Sequence, residues 1–225
     1  MPITSHGHTD VGFVREVNED SFLVDEKKGL YAVADGVGGL PFGALASRLA
    51  IRFLGSLVQD SESCATEDEL LKVAKSIHEN IIELGVLVGG ENGIGTTFSA
   101  LRIIDNKLLY AHVGDSSIFL NNGNGLTKIS KSHTLGDELI DKHGPEAAED
   151  MPEHYMHTLT RCMGQDIDFD VDLGERILVP GDVFLLCSDG VTNMVETAKI
   201  EEMLSSMDPD ALVQSLVDLA NQNGG

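Results

Sequence analysis

The chain has 225 residues and a mass of 24.1 kDa, the size of a single domain. Its 37 acidic against 15 basic residues give a formal net charge of -22, which argues against nucleic acid or an anionic membrane as the main partner, since both select basic patches. The hydrophobic fraction of 42% is ordinary for a soluble globular protein, and no stretch approaches the roughly 20 apolar residues that span a bilayer. The N-terminus lacks the basic and apolar regions of a signal peptide. Cys64, Cys162 and Cys187 are an odd, sparse set without zinc-like spacing, expected as buried thiols in a reducing compartment. A cytoplasmic monomer is therefore expected.

Taken in chain order, residues 3–35 read as strands, with Lys27-Lys28-Gly29 as a hairpin turn. Ala44 to Val58 reads as a helix in which Leu45, Leu49, Phe53 and Leu57 recur at helical spacing. A second helix runs from about Glu67 to Val88 on the stripe Leu70, Val73, Ala74, Ile77, Ile81 and Leu84. Thr66 and Glu69 form a capping box at its start. Strand patterns return at Gly95–Ile104, Lys107–Val113 and Ser117–Leu120, separated by Asn- and Gly-rich turn signals. Residues 131–157 break the pattern and are too long for a hairpin, which leaves a functional flap or a solvated excursion with short helical pieces. Within them His154 and His157 lack further ligands for zinc. Alternation resumes at Phe169, Pro180-Gly181-Asp182 turns into a run ending at Asp189, and helices close the chain from Met194 to Ala220. Antiparallel hairpins with grouped helices give an α+β class.

Three apolar runs end in carboxylates. Leu30–Ala34 leads into Asp35-Gly36, Val183–Cys187 into Ser188-Asp189-Gly190, and Leu108–Val113 into Gly114-Asp115. Such runs read as buried strands, which puts the carboxylates at strand ends. A single Asp-Gly after a strand is most often only a turn. Three of them together with Arg15-x-x-Asn18-Glu19-Asp20 invite a shared site, although spacing alone leaves convergence open. Two carboxylates ~4 Å apart repel by about 4 kcal/mol at an effective dielectric of 20, so a cluster must protonate or hold cations. All-oxygen donors suit Mg²⁺, Mn²⁺ or Ca²⁺. An arginine beside such a site points to phosphoryl chemistry.

Six elements in order carry a specific resemblance: Asp10-Val11-Gly12 with Arg15-x-x-Asn18-Glu19-Asp20-Ser21, Ala34-Asp35-Gly36-Val37-Gly38-Gly39, Gly95-Thr96-Thr97, His112-Val113-Gly114-Asp115-Ser116, Leu159-Thr160-Arg161-x-x-Gly164, and Cys187-Ser188-Asp189-Gly190-Val191. The chain resembles the metal-dependent protein phosphatases of type 2C, in particular bacterial members. The resemblance implies a four-layer α-β-β-α sandwich of two antiparallel sheets. It also implies hydrolysis of phosphoserine and phosphothreonine in proteins by a metal-bridging hydroxide, with Mn²⁺ or Mg²⁺ as two core ions and a looser third. On the family pattern Asp35 bridges both core ions, the Gly36 carbonyl ligates one and Asp189 the other. Glu19 and Asp20 act through waters, Asp115 helps hold the third ion, and Arg15 grips the phosphate. The implied partners are phosphorylated proteins, substrates of a serine/threonine kinase.

The chain departs from the pattern in three places. Val37 stands where many eukaryotic members have a histidine assigned as general acid, so a metal-bound water takes that role by default. Ser117 and Ser132 replace an arginine and an aspartate. The sequence also stops at Gly225, where the family continues with an Asp-Asn motif, whose aspartate is a metal ligand, and a last strand. Residues 1–225 are thus expected to be a single catalytic domain lacking that strand and motif. The competing readings are a non-catalytic, phosphatase-like binding or regulatory module, and a sigma-factor-pathway phosphatase of the same superfamily.

Overall fold

The computed structural model describes residues 3–149, 151–165 and 169–225. Its strands are β1 (Asp20–Asp25), β2 (Leu30–Asp35), β3 (Phe98–Ile104), β4 (Lys107–Val113), β5 (Ser117–Asn121), β6 (Leu126–Lys128), β7 (Asp172–Ile177) and β8 (Val183–Cys187). They form one sheet in the order β1-β2-β3-β4-β7 and another in the order β6-β5-β8, and every pairing is antiparallel. The helices are α1 (Gly43–Leu57), α2 (Glu67–Gly89), α3 (Leu135–His143), α4 (Asp189–Thr192), α5 (Thr197–Ser206) and α6 (Pro209–Gln222).

Strand alternation builds the layers. Leu30, Ala32 and Ala34 of β2, Phe98 and Ala100 of β3, and Leu109, Ala111 and Val113 of β4 pack with α1 and α2. The opposite faces of the same strands offer Tyr31, Leu101 and Leu108 to Ile118, Phe184 and Leu186 of the second sheet. Leu185 points the other way, toward Ile200, Met203, Leu212 and Leu216 of α5 and α6. Because side chains alternate with period two, each strand serves two layers. The result is the four-layer α-β-β-α sandwich that the motifs imply.

α2 follows the expected stripe, with Leu70, Ala74, Ile77 and Ile81 fully buried, and the Thr66–Glu69 capping box closes its N-terminus. α1 does not. Its buried face is Ala44, Ala46, Ser47, Ala50 and Leu54, while Leu45 and Leu49 are half-buried and Leu57 is exposed. Small residues let the helix axis approach the sheet closely, so the large residues of the apparent stripe ride on its flanks. Residues 3–19 also correct the reading, because they form no strand. Asp10 bends the backbone there by accepting the Gly12 N–H at 2.8 Å, and strand pairing begins at Asp20. β3 starts at Phe98 rather than Gly95, and the last strand pair begins at Asp172 rather than Phe169. Residues 131–157 hold α3 and two short 3-10 helices, and Asp150, the end of the acidic run, lies outside the described residues. All three cysteines are buried and unbridged. Among the described residues no helix is long and apolar enough to cross a membrane.

Candidate metal centre

The β1–β2 register sets Asp20 directly opposite Asp35 at one end of the first sheet. The pairing runs on one step further, with the Gly36 N–H donating to the Glu19 carbonyl at 3.1 Å. Two threonines fix the Asp35 backbone. Thr97 Oγ1 accepts the Asp35 N–H at 2.9 Å, and Thr96 Oγ1 donates to its carbonyl at 2.9 Å. Gly36 has to be glycine here, because a Cβ would lie 2.3 Å from the Gly43 carbonyl carbon where α1 begins.

The second sheet supplies Asp189, which follows β8 and opens α4. Its neighbour Ser188 donates from Oγ to Asp20 Oδ2 at 2.6 Å, tying the ends of the two sheets together. Asn193, one turn along, donates to Asp189 Oδ2 at 3.0 Å. Asp115 sits on the turn between β4 and β5. His133 holds that turn from both directions: its Nδ1 accepts the Gly114 N–H at 3.1 Å, and its own N–H donates to the Gly114 carbonyl at 2.8 Å. His133 Nε2 lies 3.2 Å from Asp172 Oδ2, and Arg161 reaches the other oxygen of Asp172 at 3.2 Å.

Crowding governs the protonation of this cluster. Burial, then the charges of Asp20 and Asp189, then a hydrogen bond with Asp20 push the Asp35 carboxyl up to about 10. Burial followed by the charge of Asp189 raises Asp115 to about 6. Asp20 is also raised, because burial outweighs its hydrogen bonds from Ser188 and Asp35. The four carboxylates cannot all ionise side by side without cations. Hard oxygen donors held between two sheet ends fit a divalent ion such as Mn²⁺ or Mg²⁺. Among the described residues no three carboxylate, histidine or cysteine side chains already close on one point, so the fit lies in donor chemistry and charge.

Arg15 and Glu19 lie beside this cluster. Arg15 Nη1 is 3.4 Å from Glu19 Oε2 and its side chain is largely exposed, flanking Gly38. The other Glu19 oxygen lies against Gly43. Of the motif residues, then, Asp20, Asp35, Asp115 and Asp189 form one electrostatic group with Gly36 beside Asp35, while Glu19 faces Arg15 and Gly43. Next to Asp115 and Asp189 a cleft of about 230 Å³ is lined by Lys128, Thr134, Asp137, His157 and Asn193. Cys187 is no nucleophile, since burial pushes its thiol up to about 12. Sequence reasoning missed the supporting roles of Thr97, His133, Ser188 and Asn193. Thr97 and Ser188 lie inside the matched motifs, which was the available signal.

The protein phosphatase 2C family model matches residues 13–220. The chain belongs to the protein phosphatase 2C family. It is 35% identical over 225 residues to a putative protein phosphatase 2C-type of Streptococcus pyogenes, covering 96% of this chain and 91% of the relative. It is 33% identical over 206 residues to the serine/threonine phosphatase stp of Listeria monocytogenes, covering 88% and 81% of the two chains. Among solved structures, the S. agalactiae serine/threonine phosphatase superposes with a TM-score of 0.85 at 32% identity, covering 97% of this chain and 93% of that one. The catalytic domain of the serine threonine protein phosphatase PstP, in complex with 2 manganese ions, superposes with a TM-score of 0.84 at 30% identity over 96% and 90%. In this 2C phosphatase Asp20, Asp35, Asp115 and Asp189 come together where the two sheets end.

Proposed function

We propose that residues 1–225 act as one catalytic unit that hydrolyses phosphoserine and phosphothreonine esters in proteins, with divalent ions held around Asp35. The observation that carries the reading is the half-buried Asp20–Asp35 pair facing Asp189 and Asp115, a group of charges that calls for cations. Family membership and the two manganese ions of the PstP structure support metal dependence. Asp35, Asp189, Asp20 and the Gly36 carbonyl would hold two ions, with Glu19 alongside and Asp115 contributing to a looser third.

When bound, the ions supply positive charge and lower the pKa of water at the site. Arg15, exposed beside the glycines of the 36–39 loop, takes two phosphoryl oxygens with its guanidinium fork and orients the ester. It stays charged throughout and offsets negative charge as it builds on the equatorial oxygens. In hydrolysis a water oxygen bonds to phosphorus, the bond from phosphorus to the serine or threonine oxygen breaks, and that oxygen takes up a proton. Val37 has no proton to give, and the open cleft lets solvent supply it. The proteins that meet these requirements are substrates of serine/threonine kinases. Phosphate release from phosphothreonine and phosphoserine peptides, but not from phosphotyrosine peptides of the same sequence, in Mn²⁺ is the expected result. Release from none of them would remove the reading.

A further inference from the structure

We infer that His133, held in orientation by Asp172, is a positioning residue for Asp115: it aims that carboxylate at the ion that Asp115 and Asp189 share and so sets how tightly this ion binds. The inference rests on the proposed role of Asp115 as a ligand of the looser third ion.

Asp115 sits on a turn, outside any strand or helix that would fix it. It follows Gly114, whose φ of 108 lies in the left-handed region and where a Cβ would come within 2.7 Å of Thr97 Cβ. Such a turn keeps its shape only where its polar groups are bonded from outside. On one side Thr97 Oγ1 and Ser116 Oγ share a hydrogen bond of 2.8 Å. On the other side His133 takes both polar groups of Gly114. Its backbone N–H donates to the Gly114 carbonyl at 2.8 Å, and its Nδ1 accepts the Gly114 N–H at 3.1 Å. The first bond survives a change of side chain at position 133, whereas the second needs an acceptor at Nδ1.

That acceptor role fixes the ring. With no proton on Nδ1, the neutral imidazole carries its proton on Nε2, which faces Asp172 Oδ2 at 3.2 Å. Arg161 Nη1 holds the other oxygen of Asp172 at 3.2 Å. The ring is 1% exposed and lies beside that of His112, centroids 5.1 Å apart. The His133 carbonyl accepts the Thr160 N–H at 2.9 Å, so the two ends of the excursion that carries α3 are joined at this residue. A buried histidine with both ring nitrogens and both backbone groups engaged is over-specified for filling a core. Carboxylate and imidazole here steady a ligand from outside, through the turn that bears it. Asp115 and Asp189 line one cleft, so a shift of the turn changes the separation of two ligands of one ion.

The test titrates the chelator-stripped whole chain with Mn²⁺ and follows the free ion by electron paramagnetic resonance, which reads binding apart from turnover. Wild type is expected to hold ions of unequal affinity, the weakest of them lost in Asp115→Asn. His133→Leu fills the space of the ring without an acceptor and should weaken that same ion about tenfold, with the tighter ions unchanged. His133→Asn places an amide oxygen where Nδ1 stood and should restore nearly the wild-type affinity. Asp172→Leu, at the half-buried outer end of these contacts, should weaken the ion about fivefold. A side chain that only fills the core would lower the melting midpoint of His133→Leu and His133→Asn alike and leave the Mn²⁺ isotherm in place. An unchanged isotherm in His133→Leu or in Asp172→Leu would overturn the inference, and Asp172→Leu decides it if His133→Leu does not fold. So would His133→Asn binding as weakly as His133→Leu, or an equal loss at every ion. If Asp115→Asn binds Mn²⁺ as wild type does, Asp115 is no ligand and the inference falls while the two-ion phosphatase reading stands. Wild type that binds no Mn²⁺ removes both.

Discussion

Asp35 is held against its own ionisation. Its ordinary carboxyl value of 3.8 rises to about 10 in the folded, metal-free chain. Above about pH 4 the unfolded state has released this proton and the folded state retains it. Folding therefore loses stability as pH climbs through the window from 3.8 to about 10. Asp35→Asn removes that load. The metal-free variant is expected to melt at least ~3 °C above wild type at pH 8, with a flatter pH dependence, while its Mn²⁺-dependent turnover disappears. Thermal melts across pH with chelator present test the first half, and an unchanged or lower midpoint would show that the carboxyl is not under strain. Arg15 behaves in the opposite way. Its exposed pair with Glu19 is worth only ~0–1 kcal/mol to stability. Arg15→Ala should leave the melting temperature nearly unchanged yet raise KM for phosphopeptides by about tenfold, lowering kcat as well if the contact tightens in the transition state. Wild-type kinetics in that variant would reduce Arg15 to a surface ion pair.

At the scale of elements, β2, α2 and the span of α1 were legible, and the buried face of α1 was not. The run Leu30–Asp35 has one reading, because an unbroken apolar segment of that length must be covered on both faces. The α2 stripe carries large residues, so periodicity and burial coincide. In α1 the large residues form the more visible stripe, but the tight dock beside Gly36 and the β1–β2 pair is made by Ala46, Ser47 and Ala50. Hydrophobicity ranks leucine above alanine and cannot register that close approach favours the smaller side chain. Ala50→Leu is accordingly expected to cost ~1–3 kcal/mol by overpacking, whereas Leu57→Ser should stay within ~0.5 kcal/mol. Denaturant unfolding of the two variants tests the assignment, and the reverse order would restore the large-residue face. Residues 3–19 were misread as strand for a related reason: extended propensity needs a neighbour to pair with, and β1 begins pairing only at Asp20.

At the scale of the molecule, the motifs are scattered along the sequence and the sandwich gathers them. Asp35, Asp115 and Asp189 were readable because each follows an apolar run, and Asp20 because the family pattern orders it among them. The groups that hold them were harder to read. Ser188 serves Asp20 only because the ends of two different sheets meet, and His133 serves the Asp115 turn from a segment that looked like a flap. Those are tertiary adjacencies with no local periodicity to announce them. Part of the net charge of -22 converges on this one place, where cations relieve it. If divalent ions held by these carboxylates drive phosphoester hydrolysis, chelator-stripped protein will not turn over p-nitrophenyl phosphate, and titration with Mn²⁺ will bring a saturable return that Asp35→Asn abolishes. Turnover that survives complete metal removal would refute metal-driven hydrolysis.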